Sequence, residues 1–234
     1  MRAGPSEMAR IFDAEMRVED ELLELGPRYN VAPTQPIAVV VQRDEGRAIE
    51  LHRWGLVPSF AKSPAAGARM INARAETVAQ SPAFRASFLR RRCVIPADGF
   101  YEWRREGRAR QPFHFHGRDD RPLAFAGMWA PWRDPATGDW LLSAAVITTR
   151  ANATVAGLHD RMPVILGADE WPLWIDSELR DPELLRDLLQ PAADDLLEVR
   201  AVSQRVNNVN NEGADLLLPP DPEPGQPAPL TLFG

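Results

Sequence analysis

Short extended runs and a few helical stretches alternate along the chain. Seven runs rich in β-branched or aromatic residues predict strands over 37–41, 49–54, 93–95, 99–103, 112–115, 123–128 and 141–148. Apolar residues at helical spacing predict a helix over 6–25 with Ser6 as its N-cap, and shorter helices over 82–89, 169–175 and 182–189. This order of elements predicts an α+β fold with a mainly antiparallel, barrel-like β-sheet and a few flanking helices.

A change in composition near Leu218 predicts a domain boundary. Residues 1–218 have the length and apolar content of one globular domain. Residues 219–234 hold six prolines before position 230, which predicts an extended, poorly ordered tail. No stretch approaches the roughly 18 consecutive apolar residues of a membrane span. The first residues do not form a secretory signal, so a cytoplasmic location is expected.

Positive charge is concentrated in one part of an acidic chain. The total charge is −6, yet residues 69–110 hold ten arginines against four acidic residues. A GC-rich genome explains the preference for arginine over lysine, but it does not explain this clustering. The planar guanidinium donates two parallel hydrogen bonds to a phosphate. The segment is therefore a candidate phosphate-binding surface.

Two segments carry polar groups in patterns that suit chemistry. Asn72, Arg74 and Glu76 alternate with alanines, so an extended backbone would place all three on one face. Glu102 lies between Tyr101 and Trp103, and a carboxyl group among apolar rings has a raised pKa, as a general acid near neutral pH requires. The plainer alternative is a strand glutamate that faces water.

A third segment places His159 beside Asp160 and Arg161. Imidazole exchanges protons near neutral pH, although the same trio also fits a simple ion cluster in a loop. Because Cys93 is the only cysteine, the chain has no internal disulfide and no multi-cysteine metal site. His114 and His116 share a strand face without a third ligand in view, so neither a metal nor a cofactor is expected.

Together, six segments resemble the successive signatures of the SRAP (SOS-response-associated peptidase) family. The resemblance covers about residues 6–218. The segments are Arg28-Tyr29-Asn30-Val31-Ala32-Pro33, Trp54-Gly55-Leu56-Val57-Pro58, Asn72-Ala73-Arg74-Ala75-Glu76-Thr77, Ala97-Asp98-Gly99-Phe100-Tyr101-Glu102-Trp103, His159-Asp160-Arg161-Met162-Pro163 and Val206-Asn207-Asn208-Val209-Asn210-Asn211-Glu212-Gly213.

The resemblance implies a bacterial DNA-damage protein, associated with the nucleoid, that recognises abasic sites in single-stranded DNA. In the family, an N-terminal cysteine captures the aldehyde of the ring-opened sugar, and its amine and thiol together form a thiazolidine. By motif position, Asn72 would orient the N-terminal group, while Glu102 and His159 would transfer protons. The same site would also release leader residues as a peptidase.

The remaining site residues follow from the same resemblance. Arg74 and Arg161 would hold phosphates. Phe60 would stack against a base as a wedge, and Asn30 and Thr148 would line the pocket.

The start of the chain departs from the family pattern Met-Cys-Gly-Arg. It reads Met1-Arg2-Ala3-Gly4-Pro5, with no cysteine nearby. Either the true start lies upstream, or this variant binds abasic DNA without stable covalent capture. As written, the terminal amine forms a Schiff base but cannot close a thiazolidine. A Cys93–His159 peptidase and a non-covalent single-stranded DNA module remain as alternatives.

The tail carries a possible partner motif. Leu230, Leu232 and Phe233 on a proline-rich tether resemble peptides that dock into the bacterial replication sliding clamp. The alternative is that these side chains fold back onto the domain.

Overall fold

The computed structural model describes residues 4–107, 109–119 and 121–220. The α-helices are α1 (Pro5–Phe12), α2 (Glu19–Leu25), α3 (Arg85–Arg90), α4 (Ala153–Ala156), α5 (Glu170–Ile175) and α6 (Pro182–Asp187). The strands are β1 (Glu15–Met16), β2 (Pro36–Arg43), β3 (Gly46–Trp54), β4 (Asn72–Arg74), β5 (Arg92–Ala97), β6 (Gly99–Glu106), β7 (Ala109–Gly117), β8 (Leu123–Arg133), β9 (Trp140–Arg150), β10 (Arg161–Pro163) and β11 (Leu197–Ala201). Short 3-10 helices cover Pro64–Arg69, Gln204–Asn207 and Ala214–Leu217.

Five strands form a closed barrel, which confirms the predicted α+β, barrel-like fold. Strands β3, β2, β5, β8 and β9 are antiparallel neighbours in that order. A short parallel pairing of β3 with β9, from Arg53 to Ser143 and from Trp54 to Ala144, closes the barrel. Farther along β9, β4 pairs with it in parallel and β10 pairs with it antiparallel. The end of β9 therefore has a short strand on either side.

Side chains alternate between two cores, one on each face of the barrel wall. On β2, Val39 and Val41 face one core, and Ala38 and Val40 face the other. The first core extends to Phe115 and thereby joins the barrel to a second sheet of order β11-β7-β6. The second core is covered by helices, whose largest buried side chains there are Phe12, Phe88 and Trp174.

The prediction of a single helix over 6–25 is wrong. The chain forms α1 and α2 instead, because Asp13 adopts a left-handed conformation with φ 46° and ends α1. Strand β1 then pairs with β3 between the two helices. Ser6 is not the N-cap either, because Gly4 holds that position and Pro5 begins the helix.

The other predicted elements agree better with the structure. All seven predicted strands fall within β2, β3 and β5 to β9. The helix predicted over 82–89 is confined to α3, since residues 82–84 form turns. Strands β1, β4, β10 and β11 were not among the predicted strands, because two to five residues are too few to establish a periodic pattern.

Near the end of the described residues, the Leu218 carbonyl oxygen accepts a hydrogen bond from the Ser203 N–H at 2.9 Å. The tail residues Leu230, Leu232 and Phe233 lie outside the described residues. Within the described part of the chain, no helix has both the length and the apolar character needed to cross a bilayer.

Candidate functional site

Strand β4 and the turn that follows it display three exposed polar side chains. Asn72, Arg74 and Glu76 are exposed, whereas the alanines between them are buried, as the alternation predicts. Asn72 and Arg74 are held in register with Val146 and Thr148 of β9. The chain turns directly afterwards, where the Val78 N–H donates to the Arg74 carbonyl oxygen at 2.9 Å. An amide, a cation and an anion are thus displayed at the end of β9.

Arg161 approaches these side chains from β10. Its Nη1 and Nη2 donate to the two carboxylate oxygens of Glu76 at 2.6 and 2.9 Å. Nη2 also donates to the carbonyl oxygen of Thr148 at 2.6 Å. These hydrogen bonds lower the pKa of Glu76. Arg161 is therefore held between β4 and β9 rather than extended into solvent.

His159 lies in the loop that precedes β10. Its Nδ1 is 3.1 Å from the Arg161 backbone nitrogen, which donates to it when the imidazole is neutral. The same atom is 3.0 Å from the Arg161 carbonyl oxygen, to which a protonated Nδ1 donates instead. Nδ1 therefore has a backbone hydrogen-bond partner whether or not it carries a proton.

Glu102 reaches His159 from the second sheet. The Oε1 of Glu102 is 3.7 Å from the Nδ1 of His159, and their side chains are 23% and 45% exposed. Burial raises the pKa of Glu102, whereas the neighbouring His159 acts in the opposite direction. This arrangement places a carboxyl group and an imidazole side by side in a partly exposed site, where each could transfer a proton to or from a bound substrate.

The raised pKa has the predicted direction but a different cause. Tyr101 and Trp103 point to the other face of β6, away from Glu102. There the Tyr101 hydroxyl donates to the Tyr29 carbonyl oxygen at 2.8 Å, and the Trp103 Nε1 donates to Asn207 at 2.7 Å. Burial also raises the pKa of Tyr101 to about 12. The two rings therefore hold neighbouring loops in place.

Asn30 joins the first and last sequence motifs. Its Nδ2 lies 3.2, 3.1 and 3.3 Å from the carbonyl oxygens of Val206, Asn208 and Asn211. Its side chain is buried, and these hydrogen bonds hold the loop over residues 206–211, called here the closing loop, against Asn30.

Phe60 is displayed on a tightly held loop and is 67% exposed. The neighbouring Ala61 carbonyl oxygen accepts a hydrogen bond from the Trp132 Nε1 at 2.8 Å. At the base of the loop, a Cβ added to Gly67 would lie 2.3 Å from the Gly55 carbonyl oxygen, so glycine is required there. The fixed loop therefore presents an aromatic ring to solvent.

One arginine of the basic segment has a structural role that its sequence did not reveal. Arg92 is buried, and its guanidinium donates to the carbonyl oxygens of Phe88, Leu89, Trp174, Asp176 and Leu179. The prediction of a phosphate-binding surface over 69–110 is therefore wrong for Arg92. Arg74, Arg85, Arg90 and Arg110 are exposed.

Cys93 does not fit a nucleophilic role. It is completely buried in the core around Val39 and Val41, and burial raises the pKa of its thiol well above its usual range. A Cys93–His159 peptidase is therefore not supported. In the described residues, no group of three or more histidine, cysteine or acidic side chains is arranged to hold a metal ion.

Comparison with known proteins gives a consistent result. The sequence model of the "SOS response associated peptidase (SRAP)" family matches residues 1–209. The Bacillus subtilis abasic site processing protein YoqW is 39% identical over 83% of this chain and 87% of its own length. The Escherichia coli abasic site processing protein YedK is 31% identical over 82% of this chain and 84% of its own.

A solved structure of a Bacteroides thetaiotaomicron protein has the same fold. It superimposes with a TM-score of 0.83 and 24% identity, over 94% of this chain and 97% of that protein. Taken with the ordered motifs and the site they form, these matches show that the chain belongs to the SOS response associated peptidase (SRAP) family.

Proposed function

We propose that this protein acts in the response to DNA damage by binding abasic sites in single-stranded DNA. The observation that carries the proposal is the open Glu102–His159 pair, which lies beside the end of β9 and its flanking polar groups. Relatives of this chain are named abasic site processing proteins, which supports the same function.

The chemistry would take place on the open-chain aldehyde of the abasic sugar. An amine attacks the aldehyde carbon, and the resulting carbinolamine loses water to give an imine. Glu102 donates a proton to the departing hydroxyl group, and His159 accepts a proton from the attacking nitrogen. Asn72 orients the amine. In the family pattern, a terminal cysteine thiol then adds to the imine and forms the thiazolidine.

The remaining residues would bind the DNA. Arg74 is exposed on β4 and contacts a phosphate. Arg161 contacts a second phosphate. To do so, it gives up part of its hydrogen bonding to Glu76. Thr148 lines the pocket beside Arg161, and Asn30 contributes by shaping the closing loop.

The decisive experiment compares three oligonucleotides of one sequence: undamaged, with a natural abasic site, and with a tetrahydrofuran analogue that has no aldehyde. We expect tighter binding to both damaged strands, and a borohydride-trapped adduct with the natural abasic site alone. Equal affinity for damaged and undamaged DNA would refute the proposal. A heat-stable adduct formed by the chain as written, without borohydride, would refute the expectation that its adducts stop at the Schiff base.

Replacing Phe60 with alanine should weaken binding to abasic single-stranded DNA by about 5- to 150-fold, since stacking on a base contributes about 1–3 kcal/mol. Fluorescence anisotropy with a labelled oligonucleotide measures the change. Trp140→Ala is the matched control, because this side chain is also 67% exposed but lies at the β8–β9 hairpin. An equal loss in both variants would contradict a specific wedge role.

We also propose that the tail residues Leu230, Leu232 and Phe233 bind the replication sliding clamp, on the strength of their sequence alone. The Leu232→Ala, Phe233→Ala double variant should lose clamp binding in surface plasmon resonance while its affinity for abasic DNA stays unchanged. A Pro222→Ala, Pro224→Ala variant controls for general changes in the tail. Clamp binding that survives the first double substitution removes this proposal.

A further inference from the structure

The guanidinium of Arg161 is already bound to an anion in the free protein. Glu76 meets it with two parallel hydrogen bonds of 2.6 and 2.9 Å, one from each terminal nitrogen. A phosphate group is bound by arginine in the same two-pronged manner. The Glu76 carboxylate therefore has the charge sign and the geometry of a bound phosphate.

Glu76 also lies on the solvent side of this pair. The Glu76 side chain is 52% exposed, whereas that of Arg161 is only 18% exposed. The inner side of the guanidinium is occupied by the carbonyl oxygen of Thr148, 2.6 Å from Nη2. An anion that arrives from solvent therefore meets the outer, Glu76-bound side of Arg161.

In the described part of the chain, the hydrogen bonds of the Glu76 side chain to other side chains go to Arg161 alone, whereas Arg161 also donates to Thr148. Glu76 belongs to the turn that follows β4, where the main chain is held by bonds such as Thr77 N–H to the Arg74 carbonyl oxygen at 3.1 Å. Because the Glu76 side chain is 52% exposed, a change of rotamer would move its carboxylate into solvent without a change in the main chain. Arg161, in contrast, is anchored by β10 and its bond to Thr148.

We propose that Glu76 occupies the position on Arg161 that a DNA phosphate takes in the complex, and that it thereby limits the affinity of this site for the phosphates of any strand. This inference rests on the proposed function. Binding DNA exchanges one anion for another at Arg161, so the contact adds little affinity by itself. Undamaged strands, which gain nothing at Glu102 and His159, are then held weakly and released.

The test is Glu76→Gln, which keeps the size of the side chain and removes its charge. Its dissociation constant for single-stranded DNA should fall by about three- to tenfold at low salt, because the competing anion is gone. The gain should appear on both abasic and undamaged strands, since a phosphate contact carries no information about the base. The ratio of the two affinities should therefore stay unchanged, while undamaged strands should dissociate more slowly than from the unsubstituted protein in stopped-flow competition.

Glu45→Gln is the matched control. Glu45 also pairs with an arginine, at 2.6 Å from Arg17, and its substitution changes the net charge by the same amount. It lies in the β2–β3 hairpin. Because β3 runs parallel to β9 and its last residues pair with Ser143 and Ala144, this hairpin is at the opposite end of the strands from Thr148. Its effect on DNA affinity should be less than twofold.

A double-mutant cycle completes the experiment. In an Arg161→Ala background, Glu76→Gln should give no more gain than Glu45→Gln, because the site of competition has been removed. Weaker DNA binding by Glu76→Gln, or a gain equal to that of the control, would overturn the proposal and leave Glu76 as a residue that only positions Arg161. If the unsubstituted protein shows no preference for abasic DNA, the proposed function fails, yet the gain in phosphate affinity still tests Glu76 separately.

Discussion

Glu102→Gln should slow the formation of borohydride-trapped adducts with abasic DNA by about 100- to 10,000-fold, the usual contribution of general acid–base catalysis. The amide keeps the shape of the side chain but cannot donate the proton that the departing hydroxyl group needs. DNA affinity should stay the same or rise, because a carboxylate near the phosphates is removed. Single-turnover trapping at saturating protein measures the rate separately from binding.

Thermal melting provides an independent check on Glu102. Burial raises its pKa above the ordinary value near 4.5, so the folded protein holds the proton more tightly than the unfolded chain does. The stability that this carboxyl group contributes is present below the unfolded pKa and is lost as the pH rises through the folded pKa. The melting temperature of Glu102→Gln relative to wild type should therefore be higher at pH 8 than at pH 4.

Glu198→Gln, in β11 of the same sheet, is the control, since its carboxylate pairs with Arg118 on the surface. A trapping rate for Glu102→Gln within threefold of this control would mean that Glu102 transfers no proton in the reaction.

Arg92→Leu should lower the free energy of unfolding by about 3–5 kcal/mol, the range for breaking a buried charged network. The guanidinium connects the end of α3 with the segment that follows α5. It donates to the carbonyl oxygens of Phe88 and Leu89 at 3.0 and 2.9 Å, and to that of Leu179 at 2.7 Å. Leucine leaves these carbonyl groups without their buried donor. Urea denaturation followed by circular dichroism measures the loss.

Arg90→Leu is the matched control, because Arg90 is exposed on the last turn of α3. It should change stability by no more than about 0.5 kcal/mol, as surface substitutions do. Similar losses for the two variants would show that the carbonyl network around Arg92 contributes little.

The long strands were predictable because their alternation is regular and each side of the wall is buried. In β2, Val39 and Val41 contact one core and Val40 contacts the other. The run over 37–41 was recognised from its β-branched residues. The break between α1 and α2 was not predictable in the same way. It depends on the left-handed conformation of Asp13 and on the pairing of Met16 with Ile49, which is a tertiary contact.

The site was predictable as a set of residues, but its internal contacts were not. The alternation of Asn72, Arg74 and Glu76 with alanines correctly predicted that all three polar groups are exposed, although the extended backbone ends at Arg74 and Glu76 lies in the turn. The pairing of Glu76 with Arg161, 85 positions later, depends on β4 and β10 lying on either side of β9. Likewise, no local pattern distinguishes the buried Arg92 from its exposed neighbour Arg90, since both belong to one run of arginines.

The short pairing of β3 with β9 that closes the barrel lies next to the candidate site on the same edge of β9. Two residue pairs, Arg53 with Ser143 and Trp54 with Ala144, join β3 to β9. Strand β4, which carries Asn72 and Arg74, pairs with the same edge of β9 farther along. We expect so short a pairing to open locally at a lower free energy than the longer pairings of the wall, and the exchange of its amide protons with solvent measures this. A ligand that bridges β4 and β10 and binds only the closed barrel would then slow hydrogen exchange at this pairing, so that occupancy of the site and closure of the barrel would be thermodynamically coupled.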